Sequence, residues 1–202
     1  MATSRKLSKE RTRARLLQGT LRVLHSEGAG ALTTGRIAES AGVAQPTFYV
    51  HFSGIDEALQ LAATTISDRW LVGVHAARQG VDRSSGVRPS VHGIVASYVD
   101  TLMEDTKGAE LFLRHRRDGT SPLGRTFTKL SEKVRKDLAE DLAVAGHVTE
   151  DVLAPKADLC LGIVLGAVES VLDGHSSRTE AIENASKMLY LLIVEALEPV
   201  TG

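Results

Sequence analysis

An all-α fold is predicted for this chain, on three observations. Apolar residues recur at helical spacing along nearly the whole length, and no segment alternates with period two. A short helix–turn–helix pattern also stands near the N-terminus. The reading is about nine helices, with a three-helix head over residues 1–55 and a helical body over 56–202. At 202 residues the chain is long enough to bury a substantial core.

Leu17, Leu21 and Leu24 give the first stripe, behind a basic arm of Arg5, Lys6, Lys9, Arg11, Arg13 and Arg15, and it ends near Gly28. The next two helices lie within 32–52. Thr33 is placed to cap the second helix. Ala38 is small enough for close helix approach, and Gly42 can take the positive φ of the turn. Pro46 suits the first turn of the third helix, where Phe48 is the core anchor and Phe52 follows it. A longer helix over 55–77, with Leu59, Leu61, Ala62, Ile66, Trp70 and Val74 apolar, joins head to body. A loop rich in Gly, Ser and Arg at 79–89 interrupts the pattern. Helices over 91–103 and 109–117 follow. A turn at 118–122 then offers Ser121 as a cap and Pro122 in first-turn position. Phe127, Leu130, Val134, Leu138 and Leu142 mark a helix to about 145. The last two helices span 149–172 and 178–197, separated by Asp173-Gly174-His175-Ser176-Ser177.

The formal net charge of −1 hides an uneven distribution. Residues 1–55 hold eight basic and three acidic side chains, a net of +5, which leaves −6 for the rest. A basic head on an acidic body suits a polyanionic partner at one end. Cys160 is the only cysteine, so no intramolecular disulfide is expected, and its apolar helix makes it an inert buried thiol. No apolar run follows Met1-Ala2-Thr3-Ser4-Arg5-Lys6, and the longest one, 159–168, is about half a membrane span. No membrane partner is expected, and the expected location is the cytoplasm.

Leu32-Thr33-Thr34, Ile37-Ala38, Ala41-Gly42-Val43 and Thr47-Phe48-Tyr49-Val50-His51-Phe52 together resemble the N-terminal signature of the TetR (tetracycline-repressor-like) family. The resemblance covers residues of about 10–65. It implies a dimeric, all-α, ligand-responsive transcriptional regulator, usually a repressor, bound to a palindromic double-stranded DNA operator. By this resemblance Gln45 and Thr47 are base-edge candidates. Glutamine can pair bidentately with adenine, and the threonine methyl can meet thymine. Pro46 adds an apolar face, and Tyr49 meets phosphate. His51 is either a phosphate contact or a structural cap. Thr34 and Arg36 are phosphate candidates at a helix N-terminus. The basic arm is either a phosphate grip or a solvated terminus. Relatives commonly carry a lysine just after the aromatic corner, where this chain has Ser53-Gly54-Ile55-Asp56. Backbone N–H groups at the start of the next helix are a partial substitute, and Gly54 permits close approach.

The last two helices are apolar on several faces, and Gly162 and Gly166 leave room for a neighbour. In the family such helices form a four-helix bundle with their twofold mates, so a homodimer through them is implied. Two recognition helices would then lie about 34 Å apart, one turn of DNA. A ligand in the body would act through the 55–77 helix and oppose operator binding by linkage.

The segment 110–122 resembles the family branch that represses unsaturated fatty-acid synthesis, which implies a hydrophobic effector such as long-chain acyl-CoA. Trp70, Tyr98, Leu102, Met103, Leu111, Phe112, Leu130 and Val164 are candidates for an apolar tunnel. Arg114, His115, Arg116 or Arg117 would meet the charged head group. The same residues read equally as plain core and a solvated basic face. Two further readings stay open. One is a regulator of an efflux or catabolic gene that responds to another hydrophobic molecule. The other, favoured by the altered 53–56 segment, is a helical binding protein with impaired DNA contacts. No H-E-x-x-H, G-x-S-x-G, phosphate-binding glycine loop or spaced Cys/His set is present, so no enzyme activity, metal or cofactor is expected.

Overall fold

The structure is a computed structural model that describes residues 2–197, with side chains described for residues 6–195; Arg5 of the basic arm falls outside the latter. The described residues form helices α1 (Ala2–Glu27), α2 (Thr34–Ala41), α3 (Gln45–His51), α4 (Ile55–Gln79) and α5 (Val87–Met103). They continue with α6 (Thr106–His115), α7 (Pro122–Gly146), α8 (Glu150–Leu153), α9 (Ala157–Leu172) and α10 (Arg178–Leu197). No strand occurs among the described residues. The fold is all-α, and the nine expected helices are present, with the four-residue α8 as an extra piece.

That extra piece corrects one expectation. The segment 149–172 is not a single helix: α8 stops at Leu153, a 3-10 turn spans Ala154–Lys156, and α9 starts at Ala157. Pro155 is the cause, since a proline ring clashes with the carbonyl four residues back and has no N–H to donate. The basic arm lies within α1, which runs from Ala2. Helix α5 begins earlier than expected, at Val87, because Pro89 falls inside its first turn. Helix α6 begins at Thr106, where the Asp105 carboxylate accepts the Gly108 N–H at 3.0 Å and caps the helix.

Packing gathers the chain into two compact units, one of residues up to 68 with 114–128, the other of 69–113 with 129 onward. In the first unit α1 packs on α2. A Cβ on Gly19 would lie 2.7 Å from the Ile37 carbonyl oxygen, so only glycine allows this approach. Leu16, Leu24, Ile37, Phe48 and Phe52 are fully buried there. Each such side chain contributes about 1.5–3 kcal/mol of transfer free energy. In the second unit α10 packs on α5 and α9 around Val91, Ile94, Val95, Val164, Val168 and Leu189.

Candidate nucleic-acid interface and body cavity

The turn between α2 and α3 is built from local chemistry. Thr33 caps α2 by accepting the Arg36 N–H at 3.1 Å. At the other end Gly42 takes φ 65°, and the Val43 N–H reaches back to the Ala38 carbonyl at 3.0 Å. Pro46 sits in the first turn of α3. Phe48 is completely buried and stacks on Phe52 with ring centroids 5.4 Å apart. This core fixes which face of α3 is outward.

That face carries Gln45, Pro46, Tyr49 and Val50, which lie at helical spacing and are all exposed. Three of the sequence-predicted contact residues come together on it. The Gln45 amide donates to Thr34 Oγ1 at 2.9 Å, and the Thr34 and Tyr49 hydroxyls are 3.3 Å apart. Thr47 is half-buried beside them. Sequence reasoning missed Val50, which is 64% exposed. Its i+3 and i+4 offsets from Thr47 and Pro46 were the available signal. His51 sits apart from this cluster. Its Nδ1 is shielded without a partner, and its pKa is lowered by burial and by Lys9 and Arg13 nearby, which keeps the ring neutral at pH 7.

The arginines of this unit are largely engaged within it. Arg15 donates to the Ala41 and Gly42 carbonyls at 2.8 and 2.9 Å, a cation on the C-terminus of α2. Arg13 stacks 4.4 Å above the Phe52 ring, donates to the His51 carbonyl and pairs with Glu57 at 2.9 Å. Arg22 holds Ser40, and Arg36 pairs with Glu27 rather than pointing free. Lys6, Lys9 and Arg11 are exposed along α1. At the start of α4 the Glu57 carboxylate accepts the Ser53 N–H at 2.8 Å and its hydroxyl at 3.0 Å. The Ser53 N–H, a candidate for the missing lysine's work, therefore already has an anionic partner. These bonds hold the Glu57 pKa below its ordinary value.

The second unit contains a small apolar cavity of about 30 Å³. Six of the nine sequence-predicted ligand residues line it: Trp70, Tyr98, Leu102, Phe112, Leu130 and Val164. Met103, Leu111 and His115 do not, and His115 belongs with residues 114–128 of the first unit. Leu71, Val74, Val134, Leu161 and Leu165 also line it and were missed, being ordinary members of helical stripes. Trp70 and Phe112 meet edge to face, with centroids 5.6 Å apart. The Trp70 Nε1 and the Tyr98 hydroxyl are both buried without a hydrogen-bond partner. An orphaned buried donor costs about 1–3 kcal/mol.

An open groove of about 390 Å³ adjoins the cavity and shares Leu71, Val74, Tyr98 and Val134 with it. Its polar lining includes His75, Arg78, Lys133 and Asp137. These charges are matched: Lys133 meets Asp137 at 3.1 Å, and Arg78 bonds Asp141 at 2.8 Å. Asp141 also meets Arg83 at 3.3 Å, and burial raises its pKa. On α9 and α10 a second apolar surface is open. Leu159, Met188 and Leu191 are more than half exposed, and nothing lies within 4 Å of a Cβ built on Gly162 or Gly166. Among the described residues no group of three or more His, Cys, Asp or Glu could hold a metal ion. No helix among them is long and apolar enough to cross a membrane.

Residues 16–62, the helix-turn-helix core, match the bacterial regulatory proteins of the tetR family. The match spans about a quarter of the chain, so the head is similar to the DNA-binding domain of that family. Solved structures share the fold. A TetR-family transcriptional regulator from Streptomyces coelicolor superposes with a TM-score of 0.71 at 21% identity, over 93% of this chain and 96% of that one. The fatty acid degradation regulator FadR from Bacillus halodurans gives 0.67 at 15% identity, over 88% and 94%. The multidrug binding protein EbrR, solved with imidazole, gives 0.67 at 21%, over 94% and 97%. Identities this low carry the fold alone.

Proposed function

We propose that this protein is a homodimeric, effector-responsive repressor, acting in the cytoplasm without catalysis, that reads a palindromic DNA operator with α3. The observation that carries this reading is the uncharged, exposed face of Gln45, Pro46, Tyr49 and Val50, set on a fully buried Phe48. Gln45 and Thr47 read base edges, with Pro46 against a thymine methyl. Thr34 and Tyr49 position the helix on phosphate. Arg36 reaches phosphate by leaving Glu27, and His51 acts through its place beside Lys9 and Arg13. The open apolar surface of Leu159, Gly162, Gly166, Met188 and Leu191 is the dimer face, which a second copy covers.

Residues 56–202 hold the effector and dimer functions, and the effector enters the cavity around Trp70 and Tyr98. The fold serves both a fatty acid degradation regulator and a multidrug binding protein, so the fold supports a hydrophobic effector in general. The segment 110–122 suggests long-chain acyl-CoA, but a cavity of about 30 Å³ must widen greatly to hold such a chain. Its size favours a more compact molecule. Footprinting on DNA from upstream of the protein's own gene tests the DNA reading. The intact protein should protect a palindromic site, and the Gln45→Ala, Tyr49→Ala double variant should not, while staying dimeric. Equal protection by the double variant would move the reading face elsewhere. No protection by either would favour a helical binding protein that no longer reads DNA.

A further inference from the structure

Thr34 stands at the centre of the polar cluster on the α3 face. Thr33, and not Thr34, caps α2, so the Thr34 side chain has no part in holding that helix end. It is half-buried, whereas Gln45 and Tyr49 are both exposed. The Gln45 amide nitrogen donates to Thr34 Oγ1 at 2.9 Å, and the Tyr49 hydroxyl lies 3.3 Å from the same oxygen. Gly35 leaves the amide room, since a Cβ there would stand 4.0 Å from Gln45 Cδ. The Tyr49 ring is held in turn edge to face against Phe48, with centroids 5.5 Å apart.

The directions of these bonds follow from the groups. An amide nitrogen can only donate, so Thr34 accepts from Gln45. The Thr34 proton is then left for the Tyr49 oxygen, and the Tyr49 proton is left for a phosphate. Gln45 keeps one N–H and its carbonyl oxygen beyond the bond to Thr34. That pair is what adenine N7 and its N6 amino group require in the major groove. A glutamine on an exposed helix face otherwise samples several rotamers, and fixing it beforehand lowers the entropy lost on binding. A Thr34 hydroxyl committed in this way has no proton for phosphate. That contact falls to the Thr34 backbone N–H, in the first turn of α2.

We infer that Thr34 is a positioning residue, whose hydroxyl aims the Gln45 amide at one adenine in each half-site and turns the Tyr49 proton toward the DNA backbone. This rests on the reading of α3 as the recognition helix.

The test is anisotropy of the full-length protein on its footprinted upstream site, with 7-deazaadenine, which lacks the N7 acceptor, placed at each adenine in turn. For the intact protein one adenine per half-site should show a loss of about tenfold, and Gln45→Ala should abolish that penalty. Thr34→Val keeps nearly the same shape without the hydroxyl, so the melting temperature should hold. It should weaken the site about fivefold and erase most of the adenine penalty, and Thr34→Ser should restore both. Added to Gln45→Ala, Thr34→Val should change nothing further at that adenine. If Thr34→Val keeps the adenine penalty, whether or not it weakens the upstream and scrambled duplexes alike, the inference falls while Gln45 still reads. A penalty from 7-deazaguanine in place of 7-deazaadenine would mean a reversed amide and would overturn it too. No penalty at any purine, with Gln45→Ala binding as tightly as the intact protein, would remove the recognition-helix reading and this inference together.

Discussion

The arginines of the head and the aromatic polar groups of the body cavity are treated in opposite ways. Around α2 and α3 the arginines find partners within their own unit: Arg13 on Glu57 and the His51 carbonyl, Arg15 on the end of α2, Arg22 on Ser40, Arg36 on Glu27. What remains outward on α3 is an uncharged surface of fixed shape. In the body cavity the reverse holds, since Trp70 and Tyr98 bury donors that nothing satisfies. A closed bonding pattern makes a rigid part, suited to a partner of constant geometry such as a DNA groove. An open bonding pattern leaves free energy for an incoming molecule to recover. Under the proposed function, the contrast is that of a reading surface and a receptor.

The most severe way to break the head is to remove its anchor. Phe48→Ala should cost about 3–5 kcal/mol of stability and abolish operator binding, as followed by thermal denaturation and footprinting. On the body, Leu191→Glu together with Met188→Glu places charge on the open apolar face. It should raise the dimer dissociation constant at least about a hundredfold, read by light scattering, because each buried carboxylate would lack a partner. If the variant remains dimeric, the interface lies elsewhere.

Smaller changes sharpen the contrast. Gly42→Ala forces a side chain into φ 65° and brings its Cβ to 3.0 Å from the Arg15 guanidinium. The expected loss is about 1–2 kcal/mol in thermal or urea melts. The smallest effect is a pH dependence. The folded Glu57 pKa lies below its ordinary value near 4.5, so its contribution to stability is present above that value. It fades as pH falls through the lower folded value. Glu57→Gln should therefore flatten the acid limb of a melting-temperature profile and weaken the tie to Arg13, with little change near neutrality.

Legibility in the sequence followed the range of the interaction. The turn between α2 and α3 was readable because Thr33, Gly42 and Pro46 act on their own neighbours. The break between α8 and α9 was equally local, and Pro155 marked it, but the apolar run beyond drew 149–172 into one helix. The arginine partners could not be read. Arg13 and Glu57 are 44 residues apart, and composition says only that the head is basic. For the cavity, aromatic residues such as Trp70 and Phe112 stood out. Leu71, Val74 and Leu165 did not, since nothing in a stripe of apolar residues tells a cavity wall from solid core. The unbonded Trp70 and Tyr98 donors are a property of the folded packing alone.

The central claim is that the uncharged face of α3 reads sequence. The most direct test is fluorescence anisotropy of the full-length protein on upstream DNA and on a scrambled duplex of equal length, at several salt concentrations. The account predicts a preference for the upstream site of at least about a thousandfold. That preference should survive rising salt and collapse in the Gln45→Ala, Tyr49→Ala variant. Equal affinity for the two duplexes, falling together as salt rises, would contradict it, because binding would then rest on the exposed cations of α1 alone.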